Sequence, residues 1–328
     1  MGIIVPVASG KGGVGKTVFA ANLGAALAVS GRAVVVVDLD LGGANLHSYL
    51  GMYNRHAGIG AFVWKKEKSL EALAAPTPVD RLFMIAGDNL LPGVANLDFP
   101  TKQRIIKGLS ELAADYVILD LGAGTSHNVV DFWLLAPDGI IVTAPEIPSV
   151  LNAYAFLKNA AYRALFRALP KGGGGREALA AFVAARPEGR GPTLLDFAAK
   201  LVADGVEGAE SALVRLRSLR PRAVVNLGSG QDDTVMAARL QDIVSRNLGM
   251  GLEFLAYIMR DPSVPASLPA RSPLFLTAPD APFVRGVKTA AERLVRAVPT
   301  AGPRLDLDDD DLSIMVERKL QSEDKPAY

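Results

Sequence analysis

The chain has 328 residues, half of them apolar, with 35 Lys and Arg against 34 Asp and Glu and no cysteine. The missing cysteines exclude a disulfide framework, a thiol nucleophile and a thiolate-held metal or iron-sulfur cluster. The near-zero net charge conceals an uneven spread: 11 basic and 13 acidic residues in 1–150, 20 and 13 in 151–300, and 4 and 8 in 301–328. A basic second half fits a solvated face or a nucleic-acid surface. The N-terminus lacks the tripartite form of a secretory signal, and no apolar run approaches the roughly 20 residues of a bilayer span. The expectation is a cytoplasmic protein, at most peripheral to a membrane or cell pole, built as one enlarged domain.

In chain order, residues 3–8, 33–38, 82–86, 116–120, 140–144, 223–227 and 254–258 form short apolar runs that do not alternate with polar residues. Strands covered on both faces have this pattern. Helical periodicity fills several of the gaps, as at 17–30, closed by Gly31, and at 102–114. Connections of that length suit parallel strands. The fold class is therefore α/β, a doubly wound and mostly parallel sheet with helices on both faces, whose ligands sit beyond the carboxyl ends of the strands.

At the first such end stands Gly10-Lys11-Gly12-Gly13-Val14-Gly15-Lys16-Thr17, a GxxxxGK[ST] phosphate loop between a predicted strand and a predicted helix. Glycines let successive N–H groups converge on phosphate oxygens, and the helix N-terminus adds partial positive charge. The cradle is assigned to Gly10, Gly12, Gly13, Val14, Gly15, Lys16, Thr17 and Val18. Lys16 spans the β- and γ-phosphates, and the Thr17 hydroxyl ligates Mg²⁺. Lys11 is one lysine more than this chemistry requires.

Two further strand ends carry carboxylates, Asp38-Leu39-Asp40 and Leu119-Asp120-Leu121-Gly122. Phosphoryl transfer needs an acid near the metal and a polar group that orients water. Asp120 and Asp40 are assigned to these tasks and, with Thr17, to the metal. Taken alone, a strand-end Asp also serves as a helix cap or turn residue. The three histidines, His47, His56 and His127, are too scattered in sequence to suggest a metal cluster.

KGGVGKT with its early lysine, DLDLGGAN and DLGAG together resemble the deviant Walker A ATPases of the MinD/ParA family. The resemblance implies an ATP/ADP- and Mg²⁺-binding ATPase that closes face to face as an ATP-dependent homodimer. Lys11 would be its signature lysine, reaching the phosphates held by the other subunit. The stretch from Asp120 to Ala160 is similar to the FlhG/FleN branch, which implies a switch controlling the placement or number of a cellular assembly through an unidentified protein partner. By the same resemblance Asn226 reads the adenine edge, the loop beginning at Arg260 packs near the base, and Glu146 lies on the nucleotide-facing loop of the dimer. Asn226 also has a plain reading as a turn former. A ParA-like module on nucleoid DNA is the alternative function.

Three features depart from the branch. The chain begins at its first predicted strand, so the N-terminal helix that stimulates the partner GTPase FlhF is expected to be missing. An insertion at about 171–221 interrupts the ATPase domain of residues 1–300; Lys171 and the four glycines after it read as a hinge before a helical subdomain, with helices at 177–185 and 193–203. That addition is either a partner site or a tolerated surface insertion. The acidic tail, 301–328, places Leu312, Met315, Val316 and Leu320 on one helical face, but its aspartates repel an anionic surface. Docking on its own domain or on a partner is favoured over membrane contact.

Overall fold

The computed structural model describes residues 2–53, 55–87, 97–185 and 191–296. The tail helix expected at 312–320 lies outside them. The strands are β1 (Ile3–Ser9), β2 (Val34–Leu39), β3 (Ala75–Pro76), β4 (Leu82–Ile85), β5 (Tyr116–Ala123), β6 (Ile140–Thr143), β7 (Arg222–Gly228) and β8 (Glu253–Met259). They make one sheet in the order β3-β4-β2-β5-β1-β6-β7-β8. Every pairing is parallel except that of β3 with β4.

The helices are α1 (Lys16–Val29), α2 (Leu46–Tyr49), α3 (Ile59–Val63), α4 (Phe99–Glu111), α5 (His127–Trp133), α6 (Ile147–Ala168), α7 (Gly174–Ala185), α8 (Leu194–Ala203), α9 (Ala209–Arg217), α10 (Asp233–Leu248), α11 (Ser263–Ala270), α12 (Leu274–Thr277) and α13 (Pro282–Arg296). Among the described residues no helix is long and apolar enough to cross a membrane.

The non-alternating strands have a direct cause. In β5, Val117, Leu119 and Leu121 enter one hydrophobic cluster, while Tyr116 and Ile118 enter another on the opposite face. In β2, Val35 and Val37 join the first cluster, and Val34 and Val36 the second. Both faces are dry, so neither selects polar residues. Helices α1 and α13 cover the second face; α5, α6 and α10 cover the first.

Helix starts follow local chemistry. The Asp98 carboxylate accepts the Thr101 N–H at 2.9 Å, with Pro100 in the first turn, so α4 begins before the expected residue 102. Thr193 and Asp196 form a reciprocal capping box on α8. By contrast α1 has Gly15 at its N-cap position, with no side-chain cap and no acidic residue in its first turn. Its free N–H groups are left to whatever binds there.

The insertion, expected as a hinge before a helical subdomain, packs onto the main core. Lys171 and Gly172 form a turn, and α7 already starts at Gly174. Gly175 is buried, and a Cβ there would sit 3.0 Å from Leu169 and Val206. Leu179 of α7, Leu201 of α8 and Leu213 and Leu216 of α9 join the same cluster as α6 and the sheet. The added helices thus extend an existing core, which gives them stability that three short helices lack alone.

Candidate functional site

The loop between β1 and α1 curls at the carboxyl end of the central strand. Gly15 has φ +85°, and a Cβ there would stand 2.2 Å from the Asn226 amide nitrogen, so only glycine fits the fold at this point. Gly12 and Gly13 are exposed, with no atom within 4 Å of a Cβ built on either. Gly10 packs against the backbone of Asn152 on α6. Val14 and Val18 bury their side chains in the second cluster, leaving only main-chain groups to a ligand.

Lys16 is 6% exposed and aims inward from the first turn of α1. Its ammonium lies 2.7 Å from Asp120 Oδ1, 3.2 Å from Thr17 Oγ1 and 3.9 Å from Asp40 Oδ2. The phosphate-loop lysine, the threonine and both strand-end carboxylates are thus brought together, although Lys16 and Asp120 stand 104 residues apart. Asp120 is not at a strand end, since β5 runs on to Ala123. Burial raises its pKa, and the nearby Lys16 cation pulls the other way. Among the described residues its buried Oδ2 has no hydrogen-bond partner.

Asp38 is the site residue that sequence reasoning passed over. It pairs in register with Asp120 across the β2–β5 ladder and is 1% exposed. Its carboxylate accepts the Leu46 N–H at 3.0 Å and the Asp40 N–H at 3.1 Å, so it shapes the turn that carries Asp40. Burial, then the Asp120 charge, push its pKa up to about 7. The available signal was the Asp-x-Asp spacing: with a period of two, both carboxylates leave the strand on one side.

The remaining candidates lie around this centre. Asn226, 1% exposed, donates from Nδ2 to the Val14 carbonyl at 2.9 Å, and among the described residues its Oδ1 has no partner. Arg260 is exposed and linked to β7 through its N–H, which donates to the Gly228 carbonyl at 2.9 Å. Glu146 caps α6 by position only, and its side chain faces Lys11, with 3.5 Å between Oε2 and Nζ. Both ends of that pair are open to solvent, at 34% and 56%. Lys11 is thus outside the Lys16 cluster.

The residues present fit a nucleotide with a hard cation. The uncapped α1, the open Gly12 and Gly13 and Lys16 suit phosphate. Thr17, Asp40 and Asp120 form an all-oxygen set, and the orphaned Asp120 Oδ2 is an acceptor that awaits a metal or its water. Among the described residues no group of three or more His, Cys, Asp or Glu is arranged to hold a metal. Magnesium needs no such cage, because it retains waters and substrate phosphates.

Comparison with known proteins places this geometry in a family. Residues 5–274 match the CobQ/CobB/MinD/ParA nucleotide binding domain. The septum site-determining protein MinD of Synechocystis is 36% identical over 155 residues, which are 47% of this chain and 57% of that protein. The chain thus spans little more than half the length of the curated relatives it matches. Among solved structures, MinD of Pyrococcus horikoshii complexed with Mg-ADP superposes with a TM-score of 0.62 at 22% identity, covering 90% of this chain and 97% of that one. The MinC:MinD complex of Aquifex aeolicus gives 0.59 at 19% identity, covering 92% and 99%. At such identities the structural likeness establishes the fold.

Proposed function

Because the chain belongs to the CobQ/CobB/MinD/ParA nucleotide-binding family, we propose that it is a Mg²⁺-dependent ATPase whose ATP-bound form closes into a homodimer and whose output is a regulated contact with a protein partner. The observation that carries this reading is the convergence of Lys16, Thr17, Asp40 and Asp120 within 4 Å at the foot of an uncapped phosphate loop. Bound Mg²⁺ would supply charge neutralisation at the phosphates. Thr17 and Asp120 would hold it, Lys16 would turn from Asp120 to the β- and γ-phosphates, and Asp40 would orient water.

Asn226 Oδ1 would accept from an amino group, a pairing that favours adenine over a base with a keto oxygen at that position; its buried, unpartnered state among the described residues supports this reading. Lys11 of one subunit would meet the phosphates of the other, so that hydrolysis follows dimerisation and resets the switch. A solved MinC:MinD complex shows one relative of this fold engaged with a protein partner. The sequence likeness to FlhG/FleN favours, as the regulated assembly, a flagellum or another polar or envelope machine.

Lys16→Ala is expected to abolish binding of a fluorescent ATP analogue. Asp40→Ala is expected to bind it like the wild type but to hydrolyse ATP at least about 100-fold more slowly and to accumulate a dimer in light scattering. Wild-type hydrolysis by Asp40→Ala would remove the water-orienting role.

A further inference from the structure

β7 does not run regularly to its end. Val225 pairs with Tyr257 and Gly228 with Met259. Three steps on β7 therefore match two on β8, and the extra residue makes a bulge at 226–227. Leu227 has φ +61° there, a left-handed backbone that a bulky L-residue adopts only where its surroundings enforce it. The bulge turns the Asn226 amide onto the phosphate loop, leaving Oδ1 buried and unpartnered.

The enforcing contacts lie one residue on. Gly228 is pressed against the Tyr257 ring, where an added Cβ would come within 2.3 Å. The Tyr257 hydroxyl donates to Asp233 Oδ2 at 2.7 Å. The same oxygen accepts the Ser229 N–H at 2.6 Å and the Gly230 N–H at 3.2 Å, while Ser229 Oγ lies 3.1 Å from Oδ1. Tyr257 and Asp233 are 2% and 6% exposed. Burial, then the Asp233 carboxylate, raise the phenol pKa, so the hydroxyl remains a donor at every physiological pH.

We propose that Tyr257 and Asp233 form a clamp that holds the bulge at Leu227 and so fixes the Asn226 amide where it meets a nucleobase. They are positioning residues that set base affinity without touching the ligand. This rests on the reading of Asn226 as a base contact. The clamp also explains why a strained leucine persists: the strain of such a conformation is offset by a carboxylate that satisfies two amides and two hydroxyls.

Inorganic tripolyphosphate carries the phosphates without the base, so its competition against a fluorescent ATP analogue separates base recognition from the phosphate cradle. In the full chain, Tyr257→Phe is expected to lower the ratio of ATP to tripolyphosphate affinity about tenfold, and Asp233→Asn to do the same. A general loss of structure would weaken both ligands together. An unchanged ratio in the two variants would overturn the clamp. Asn226→Ala decides the underlying reading separately: if it too leaves the ratio unchanged, Asn226 does not read the base. A ratio that falls in Asn226→Ala but not in the clamp variants overturns the clamp alone.

Discussion

Asp131→Ala is expected to lower the unfolding free energy by about 3–5 kcal/mol, without a single atom of the nucleotide site being changed. Asp131 lies on α5, 3% exposed, and takes hydrogen bonds from three helical cations. Lys102 Nζ of α4 is 2.5 Å away, Arg163 of α6 makes two bonds at 2.9 and 3.1 Å, and Arg167 makes one at 3.0 Å. The two arginine side chains are 24% and 39% exposed and can turn to water, but the Lys102 side chain is 8% exposed and cannot. Most of the cost therefore lies in one stranded ammonium. Replacing both partners, as Lys102→Met with Asp131→Leu, is expected to recover much of it.

The pH dependence has a definite sign. Burial alone would raise the Asp131 pKa, but hydrogen bonds from Arg163 and Lys102 and the Arg167 charge outweigh it and hold the carboxyl below its ordinary 3.8. A depressed folded-state pKa contributes stability that is present above the unfolded value and is lost as pH falls through the folded one. The gap between wild type and Asp131→Ala in urea melts should thus be full at pH 7 and shrink below about pH 4. A constant gap across that range would show that packing, not charge, holds α5.

The distinction between packing and charge also separates what the sequence reveals from what it hides. Seven strands are legible because a sheet covered on both faces demands apolar runs that do not alternate with polar residues, as in the four valines that open β2. β3 has two residues, too few to make any pattern. The Gly-rich loop and its lysine are legible because adjacent residues make that structure, whereas the contact of Lys16 with Asp120 depends on strand order. Asp38 is hidden because its partners are the backbone of Leu46 and Asp40 and a register-paired carboxylate. Nothing in Asn226-Leu227-Gly228 announces a bulge, because the shift exists only relative to β8. The four glycines after Lys171 suggest a hinge by composition, yet Leu169 and Val206 close on Gly175 and make it core.

Lys11→Ala is expected to bind ATP like the wild type when dilute, to fail to dimerise on ATP, and to lose nearly all hydrolysis. Among the described residues Lys11 pairs with Glu146 at 3.5 Å, the two side chains 34% and 56% exposed, and such a pair is worth about 0–1 kcal/mol. Removing it costs the monomer little. A docked second subunit would offer the same ammonium a dry, multiply charged phosphate in place of one wet carboxylate, a gain of several kcal/mol that exists only in the dimer. In the proposed dimer the cis pair would be a weak holding position. Glu146→Gln, which frees Lys11, should leave ATP binding intact and not impair dimerisation. The deciding experiment mixes Lys11→Ala with Asp40→Ala, each inactive alone. In a mixed dimer one site holds the intact Asp40 of the Lys11→Ala chain and receives Lys11 from the other chain, so it is complete; the second site lacks both groups. Recovery to about half of the wild-type dimer's rate places Lys11 in trans. No recovery in dimers shown to be mixed by co-purification through a tag carried on only one variant would mean that Lys11 serves its own subunit, and the 3.5 Å contact with Glu146 would then be part of the working site.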